Sequence, residues 1–69
     1  MSGAPEIRVN GEPRQLDAAD VGQLVERLGL RGEGTAVALN GEVVPRRCWN
    51  ERALHDGDEV EIVGAVQGG

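Results

Sequence analysis

The chain has almost no aromatic residues, no lysine and a single cysteine. Trp49 is the one aromatic side chain in 69 residues, and all seven basic residues are arginines, against twelve acidic ones. A net charge of −5 argues against a surface that binds phosphates, and a lone tryptophan offers bases little stacking. Cys48 cannot form an internal disulfide. The composition therefore excludes a disulfide scaffold and disfavours a nucleic-acid partner.

Long apolar runs are missing as well. No stretch approaches the ~18 residues that a membrane span needs, and no charged segment followed by an apolar one resembles a signal peptide. We therefore expect a cytoplasmic protein with no membrane partner. A chain of this size buries only about 60% of the surface that its unfolded form exposes, which leaves little room for a deep pocket and a bound cofactor. This favours a carrier or binding module over an enzyme.

A hairpin is predicted at the start of the chain. Residues 6–9 alternate polar and apolar side chains, which is the period of a half-buried strand. Asn10-Gly11 then suits a two-residue turn, because both residues tolerate positive φ. Residues 13–16 can return as a short second strand, with its proline near the strand start or on a sheet edge.

One amphipathic helix is predicted over about residues 20–28. Asp20 is the expected N-cap, because Gln23 follows three residues later in capping-box register. Gly29 supplies the stop, and Gly22 is expected to allow close approach to the sheet. The apolar residues follow helical spacing on one face: Val21, Leu24, Val25 and Leu28.

A second hairpin is predicted after the helix. Residues 35–39 are apolar throughout, as expected of a central strand that is covered on both faces. Asn40-Gly41 repeats the turn signal of the first hairpin. Residues 42–44 form the short return strand, which Pro45 closes.

A crossing and a final strand complete the domain. Residues 46–54 are expected to form an irregular or single-turn crossing that carries Trp49. Residues 59–63 then alternate strictly, with Val60 and Ile62 facing inward. A hairpin, a helix across it and further strands predict a two-layer α+β domain over residues 6–63. The expected flexible parts are residues 1–5 and 64–69.

Three features of the second half of the chain are candidate sites: His55, the Asp56/Asp58 pair and Trp49. His55 has no second His or Cys at ligand spacing, which argues against a metal site. Asp56 and Asp58 flank Gly57 and are interpreted as turn formers rather than an acid–base pair. Trp49 is interpreted as a core residue rather than a stacking platform.

The arginine pair Arg46 and Arg47 has two possible interpretations, and so does Cys48. Arg46 and Arg47 fit either a solvated pair or a contact to an acidic patch on a partner. These arginines and Arg52 lie near Cys48, and a reactive thiol needs such an electropositive setting. The other interpretation of Cys48 is an inert residue packed beside Trp49.

The element order and several short motifs resemble the ubiquitin-like β-grasp sulfur carriers, and among them the sulfur carrier family of thiamin biosynthesis. The resemblance implies a mixed sheet of four to five strands packed on one helix. It covers nearly the whole chain after residue 5. The matching stretches are Val9-Asn10-Gly11, the Val21/Leu24/Leu28 helix, Leu39-Asn40-Gly41, Val44-Pro45-Arg46, Trp49, Asp56-Gly57-Asp58-Glu59-Val60 and the terminal Gly68-Gly69.

The resemblance also implies a function located at the C-terminus. In that family the terminal glycine carboxylate, here Gly69, is adenylated and converted to a thiocarboxylate that donates sulfur for the thiazole ring. Gly68, Gln67 and Val66 would enter the partner's active site, and glycines suit a channel that admits backbone only. Cys48 would then be inert.

The implied partners supply all of the catalytic groups. They are an E1-like adenylating enzyme that uses ATP with magnesium, a cysteine desulfurase as sulfur source, and a thiazole synthase. The chain itself would be a carrier with no bound cofactor or metal, not an enzyme. Two alternatives remain: a sulfur carrier for molybdopterin or another sulfur metabolite, and a non-covalent β-grasp binding module.

Overall fold

The computed structural model describes residues 4–31 and 33–64, which form one five-stranded mixed sheet with a helix across one face. The strand order is β2-β1-β5-β3-β4, and β5 runs parallel to β1 and antiparallel to β3. This is the α+β arrangement that the element order predicts. The elements are β1 (Glu6–Val9), β2 (Glu12–Gln15), α1 (Val21–Arg27), β3 (Thr35–Leu39), β4 (Glu42–Val44), a 3₁₀ helix (Arg46–Glu51) and β5 (Glu59–Gly64).

Both predicted hairpin turns are confirmed. Asn10 and Gly11 have φ angles of 53° and 85°, and Asn40 and Gly41 have 51° and 84°. Two successive residues at positive φ define the turn whose twist matches that of the flanking strands. The two turns therefore have almost the same backbone, at opposite sides of β5.

Helix α1 begins and ends where its caps predict. The Asp20 carboxylate accepts a hydrogen bond from the Gln23 amide at 2.8 Å, and the Gln23 side chain accepts one from the Ala19 amide at 2.9 Å. Gly29 has a φ of 74° and ends the helix. Gly22 was expected to allow close approach to the sheet, and this was wrong. The element that approaches it closely is the 3₁₀ helix, through Asn50.

The core lies between α1 and the inner face of the sheet. Its helix residues are the predicted ones, although Leu28 is only partly buried. From β5, Val60 is buried and Ile62 is partly buried, as the alternation predicts. Burying apolar area of this kind is the main source of stability in a domain without disulfides. The full core is Ile7, Val9, Ala18, Val21, Leu24, Val25, Val37, Leu39, Val44, Trp49, Leu54 and Val60.

The prediction that β3 is covered on both faces was wrong. Val37 and Leu39 are buried, but Ala36 is exposed and Ala38 is only half-buried. Helix α1 covers one face of the sheet, so the outward residues of β3 face solvent. Alanine counts as apolar in a sequence pattern, yet its single methyl group loses little when it is left in water.

The crossing after β4 forms a 3₁₀ helix that places Trp49 in the core. The indole is 6% exposed, and its N–H donates to the Val44 carbonyl at 2.9 Å. This confirms the core interpretation of the tryptophan and satisfies its buried donor. Strand β5 follows and extends one residue beyond its predicted end, to Gly64.

Candidate functional site

The residues predicted to carry the chemistry lie beyond the end of β5. Val66, Gln67, Gly68 and Gly69 are outside the described residues. The last described residue is Gly64, which pairs with Thr35 of β3. The structure therefore defines the base from which this C-terminal tail (residues 65–69) leaves the sheet, and the surface around that base.

An apolar surface adjoins the base of the tail on the side of the sheet away from α1. Val63 is 68% exposed and pairs with Ala36, while Val43 is 73% exposed and pairs with Ala38. Adjacent residues of paired strands share a face, so these four side chains and Glu61, which also pairs with Ala38, form one surface. We call it the outer face. The alternation of Ala36 and Ala38 with the larger Val37 and Leu39 was the signal that could have identified it.

Charges of both signs border the outer face. Glu59 and Glu61 are exposed on β5, and Arg8 of β1 pairs with Glu59 in the parallel ladder. An apolar centre bordered by exposed charges is the usual composition of a protein–protein interface.

Arg46 and Arg47 are both exposed in the first turn of the 3₁₀ helix. Such exposure is shared by a solvated arginine and a partner-binding arginine, so both interpretations of the pair stay predictions. The nearby Cys48 is partly buried and packs against the core. That packing fits the inert interpretation of the thiol, because small cysteine side chains commonly serve as core hydrophobes.

The two aspartates around Gly57 hold a turn together. Asp56 accepts a hydrogen bond from the Glu6 amide at 2.7 Å, and Asp58 accepts one from the His55 amide at 2.8 Å. Gly57 has a φ of 88°. Both carboxylates thus bind backbone donors, which confirms that they are turn formers. The His55 ring lies 3.9 Å from Asp58 and is largely exposed.

Residues 4–31 and 33–64 hold no candidate metal centre. Those residues contain no group of three or more His, Cys, Asp or Glu that could hold a metal ion. A hollow of about 420 Å³ beside Leu54 and His55 is an open depression. No helix in the described part of the chain is long and apolar enough to cross a membrane.

A small mixed sheet in the order β2-β1-β5-β3-β4, crossed by one helix, defines a ubiquitin-like β-grasp domain. The crystal structure of the thiamine biosynthesis protein ThiS from Geobacter metallireducens superposes on it with a TM-score of 0.77. The two sequences are 35% identical, over 93% of this chain and 99% of that one. The predicted fold class is thereby confirmed.

Sequence comparison gives the family. Residues 7–69 match the ThiS family. The sulfur carrier protein ThiS of Thermus thermophilus is 41% identical over 91% of this chain and 98% of its own length. The chain belongs to the ThiS family, and it is a sulfur carrier of thiamin biosynthesis rather than an enzyme.

A longer relative contains a similar segment. The thiazole synthase of Paramagnetospirillum magneticum is 39% identical over 65 residues, which is 93% of this chain and 20% of that protein. A segment similar to this carrier is thus covalently part of a thiazole synthase in another organism.

Proposed function

We propose that the chain carries sulfur as a thiocarboxylate on Gly69. An E1-like enzyme first uses ATP and magnesium to adenylate the carboxylate. One carboxylate oxygen of Gly69 forms a bond to the α-phosphorus, and pyrophosphate leaves. The observation that carries the proposal is membership of a sulfur carrier family by a chain that ends in Gly-Gly.

Sulfur enters in the second step. A protein persulfide, charged with sulfur from cysteine by a desulfurase, attacks the acyl carbon, and AMP leaves. A second thiol on the enzyme then attacks the resulting acyl disulfide, so a protein disulfide forms and the thiocarboxylate is released. A carboxylate is a poor electrophile, and the adenylate provides the leaving group that the exchange requires. These reactions are placed in the cytoplasm, where ATP is available.

The proposed acceptor of the sulfur is a thiazole synthase. The support is the P. magneticum enzyme, in which a segment similar to this chain belongs to the same polypeptide. Two activities that share one polypeptide are held at a high effective concentration, which favours transfer between them.

Docking is assigned to the outer face. Val63 lies one residue before Gly64, so a partner bound there would be next to the base of the tail. The exposed valines supply apolar area, and Glu59 and Glu61 would select a partner with basic residues around its binding site. The body binds by this surface while the slender tail enters the active site.

Intact-mass measurement tests the chemistry. The protein is incubated with its activating enzyme, ATP, magnesium, cysteine and a desulfurase. We expect one oxygen to be replaced by sulfur, with fragment ions that place the change on Gly69. A change on the Cys48 peptide would contradict the proposal.

The matched variant is Gly68→Val, since a β-branched side chain adds bulk and stiffness where only backbone is admitted. Its melting temperature should stay close to that of the wild type, because terminal changes usually alter stability by less than about 0.5 kcal/mol. Pyrophosphate release should nevertheless collapse. A Gly68→Val protein that is adenylated at the wild-type rate would show that the tail does not enter a narrow channel.

A further inference from the structure

The two edges of β5 are held differently near the base of the tail. On the β3 side the ladder continues to the end of the strand, through the pairs Val37–Ile62, Ala36–Val63 and Thr35–Gly64. On the β1 side the paired register ends at Val9–Val60. The first strand cannot follow β5 further, because its chain reverses at the Asn10-Gly11 turn.

The side chain of Asn10 supplies further hydrogen bonds to β5 on its β1 side, beyond the last backbone pair. Its Oδ1 accepts from the Ile62 amide at 2.8 Å, and its Nδ2 donates to the Ile62 carbonyl at 3.2 Å. The Asn10 backbone amide also donates to the Val60 carbonyl at 2.8 Å. A carboxamide has one acceptor and one donor in a plane, so it can replace the peptide group of a neighbouring strand.

Asparagine meets two requirements at this position. The φ of 53° is a left-handed conformation that Asn, Asp and Gly adopt most readily. Glycine would keep the turn but has no side chain to bind Ile62. Aspartate would keep the acceptor but would place a carboxylate oxygen against the Ile62 carbonyl. Of the three residues, asparagine alone satisfies the backbone and both polar groups of Ile62.

We infer that Asn10 is a positioning residue for the acyl chemistry at the C-terminus. It holds Ile62, two residues before Gly64, and so fixes the direction in which the chain leaves the sheet. The inference rests on the proposed function, since direction matters only if the tail must reach an active site. Rates of group transfer depend steeply on placement, and a displacement of about 1 Å can cost up to about 100-fold.

Asn40 provides a matched control within the same chain. It occupies the equivalent turn position, with a φ of 51°, and also binds β5 through its side chain. Its Oδ1 accepts from the Glu59 amide at 2.9 Å, at the beginning of the strand. The two asparagines therefore perform similar structural roles at different ends of β5, and of the two Asn10 lines the same hollow as Gly64, the base of the tail.

The experiment compares Asn10→Gly with Asn40→Gly. Both changes keep positive φ accessible and remove one carboxamide, so we expect similar losses of melting temperature. Amide hydrogen exchange should rise about tenfold at Ile62 in Asn10→Gly only, as expected when two exposed hydrogen bonds are lost. The rate constant kcat of adenylation by the activating enzyme should fall roughly 10- to 100-fold in that variant, because the carboxylate is less often in place.

Affinity for the activating enzyme should not change with the positioning residue. Its dissociation constant should stay within about twofold of the wild type in both variants, because the outer face is unchanged. Equal losses of kcat in the two variants, or an unchanged kcat in Asn10→Gly, would overturn the inference. If the wild-type protein itself released no pyrophosphate, the proposed function would fail and this role with it. An active wild type together with an unaffected Asn10→Gly would overturn the positioning role alone.

Discussion

The inner and outer faces of the sheet use the same strands for different purposes. On the inner face, Val37, Leu39 and Val60 are each no more than 2% exposed. On the outer face, Val63 is 68% exposed, and its neighbour on β3 is an alanine. Large side chains facing α1 supply the burial that stabilises so small a domain. Small and exposed apolar side chains leave a flat surface that a partner can cover.

Stability and recognition should therefore respond to different substitutions. A change on the inner face should unfold the protein, and a change on the outer face should weaken docking while the fold persists.

Leu24→Ala should produce the largest loss of stability. Leu24 is fully buried in α1, and truncation of such a leucine typically costs about 2–5 kcal/mol through lost burial and a residual cavity. Urea unfolding can be followed through the fluorescence of Trp49. Leu30→Ala is the matched control, because Leu30 is 40% exposed and its truncation should cost less than about 0.5 kcal/mol. Equal losses would contradict the description of the core.

Val63→Asp should weaken docking to the activating enzyme about tenfold, since it buries a charge where the partner covers apolar area. The free energy of unfolding should fall by no more than about 1 kcal/mol, the range of strand propensities. Leu30→Asp makes the same kind of change on the α1 side of the sheet and should leave docking unchanged. Calorimetric titration measures the dissociation constant of both variants for the activating enzyme. A stronger effect from Leu30→Asp would move the docking surface to the other side.

Cys48→Ser should have the smallest effect. The thiol is partly buried beside the core, so its replacement should cost about 1 kcal/mol of stability or less. Sulfur loading should remain at the wild-type level, because the proposed acceptor is Gly69. Thermal melting and intact mass measure the two effects. Loss of loading in a folded Cys48→Ser protein would show that the thiol takes part in sulfur transfer.

Local signals predicted most of the fold because they act over a few residues. Adjacent sequence specifies the conformation of the two Asn-Gly turns and of the Asp20 cap. It also specifies the last strand, in which glutamates alternate with the inward-facing Val60 and Ile62. The exposure of the outer side of β3 was missed because the run from Thr35 to Leu39 is apolar by composition, and composition does not separate a small exposed alanine from a buried one.

Contacts between distant residues were beyond local prediction. Asn10 binds Ile62 across 52 residues of sequence, and Gly22 meets Asn50 through the packing of two helices. Either contact depends on the finished arrangement of the elements. The C-terminal residues form a third case, since their predicted role follows from family resemblance and concerns chemistry on partner enzymes.

The central position of β5 has a mechanical consequence for a carrier that is pulled by its end. If a partner draws the tail into a channel, as proposed, the force acts along β5, with β1 bonded on one side and β3 on the other. Hydrogen bonds between strands lie across the strand direction, so such a force loads both ladders together in shear. Tension on an edge strand would peel bonds away one at a time. Under the proposed mechanism, the central place of β5 would let the domain resist such a pull better than an edge strand would.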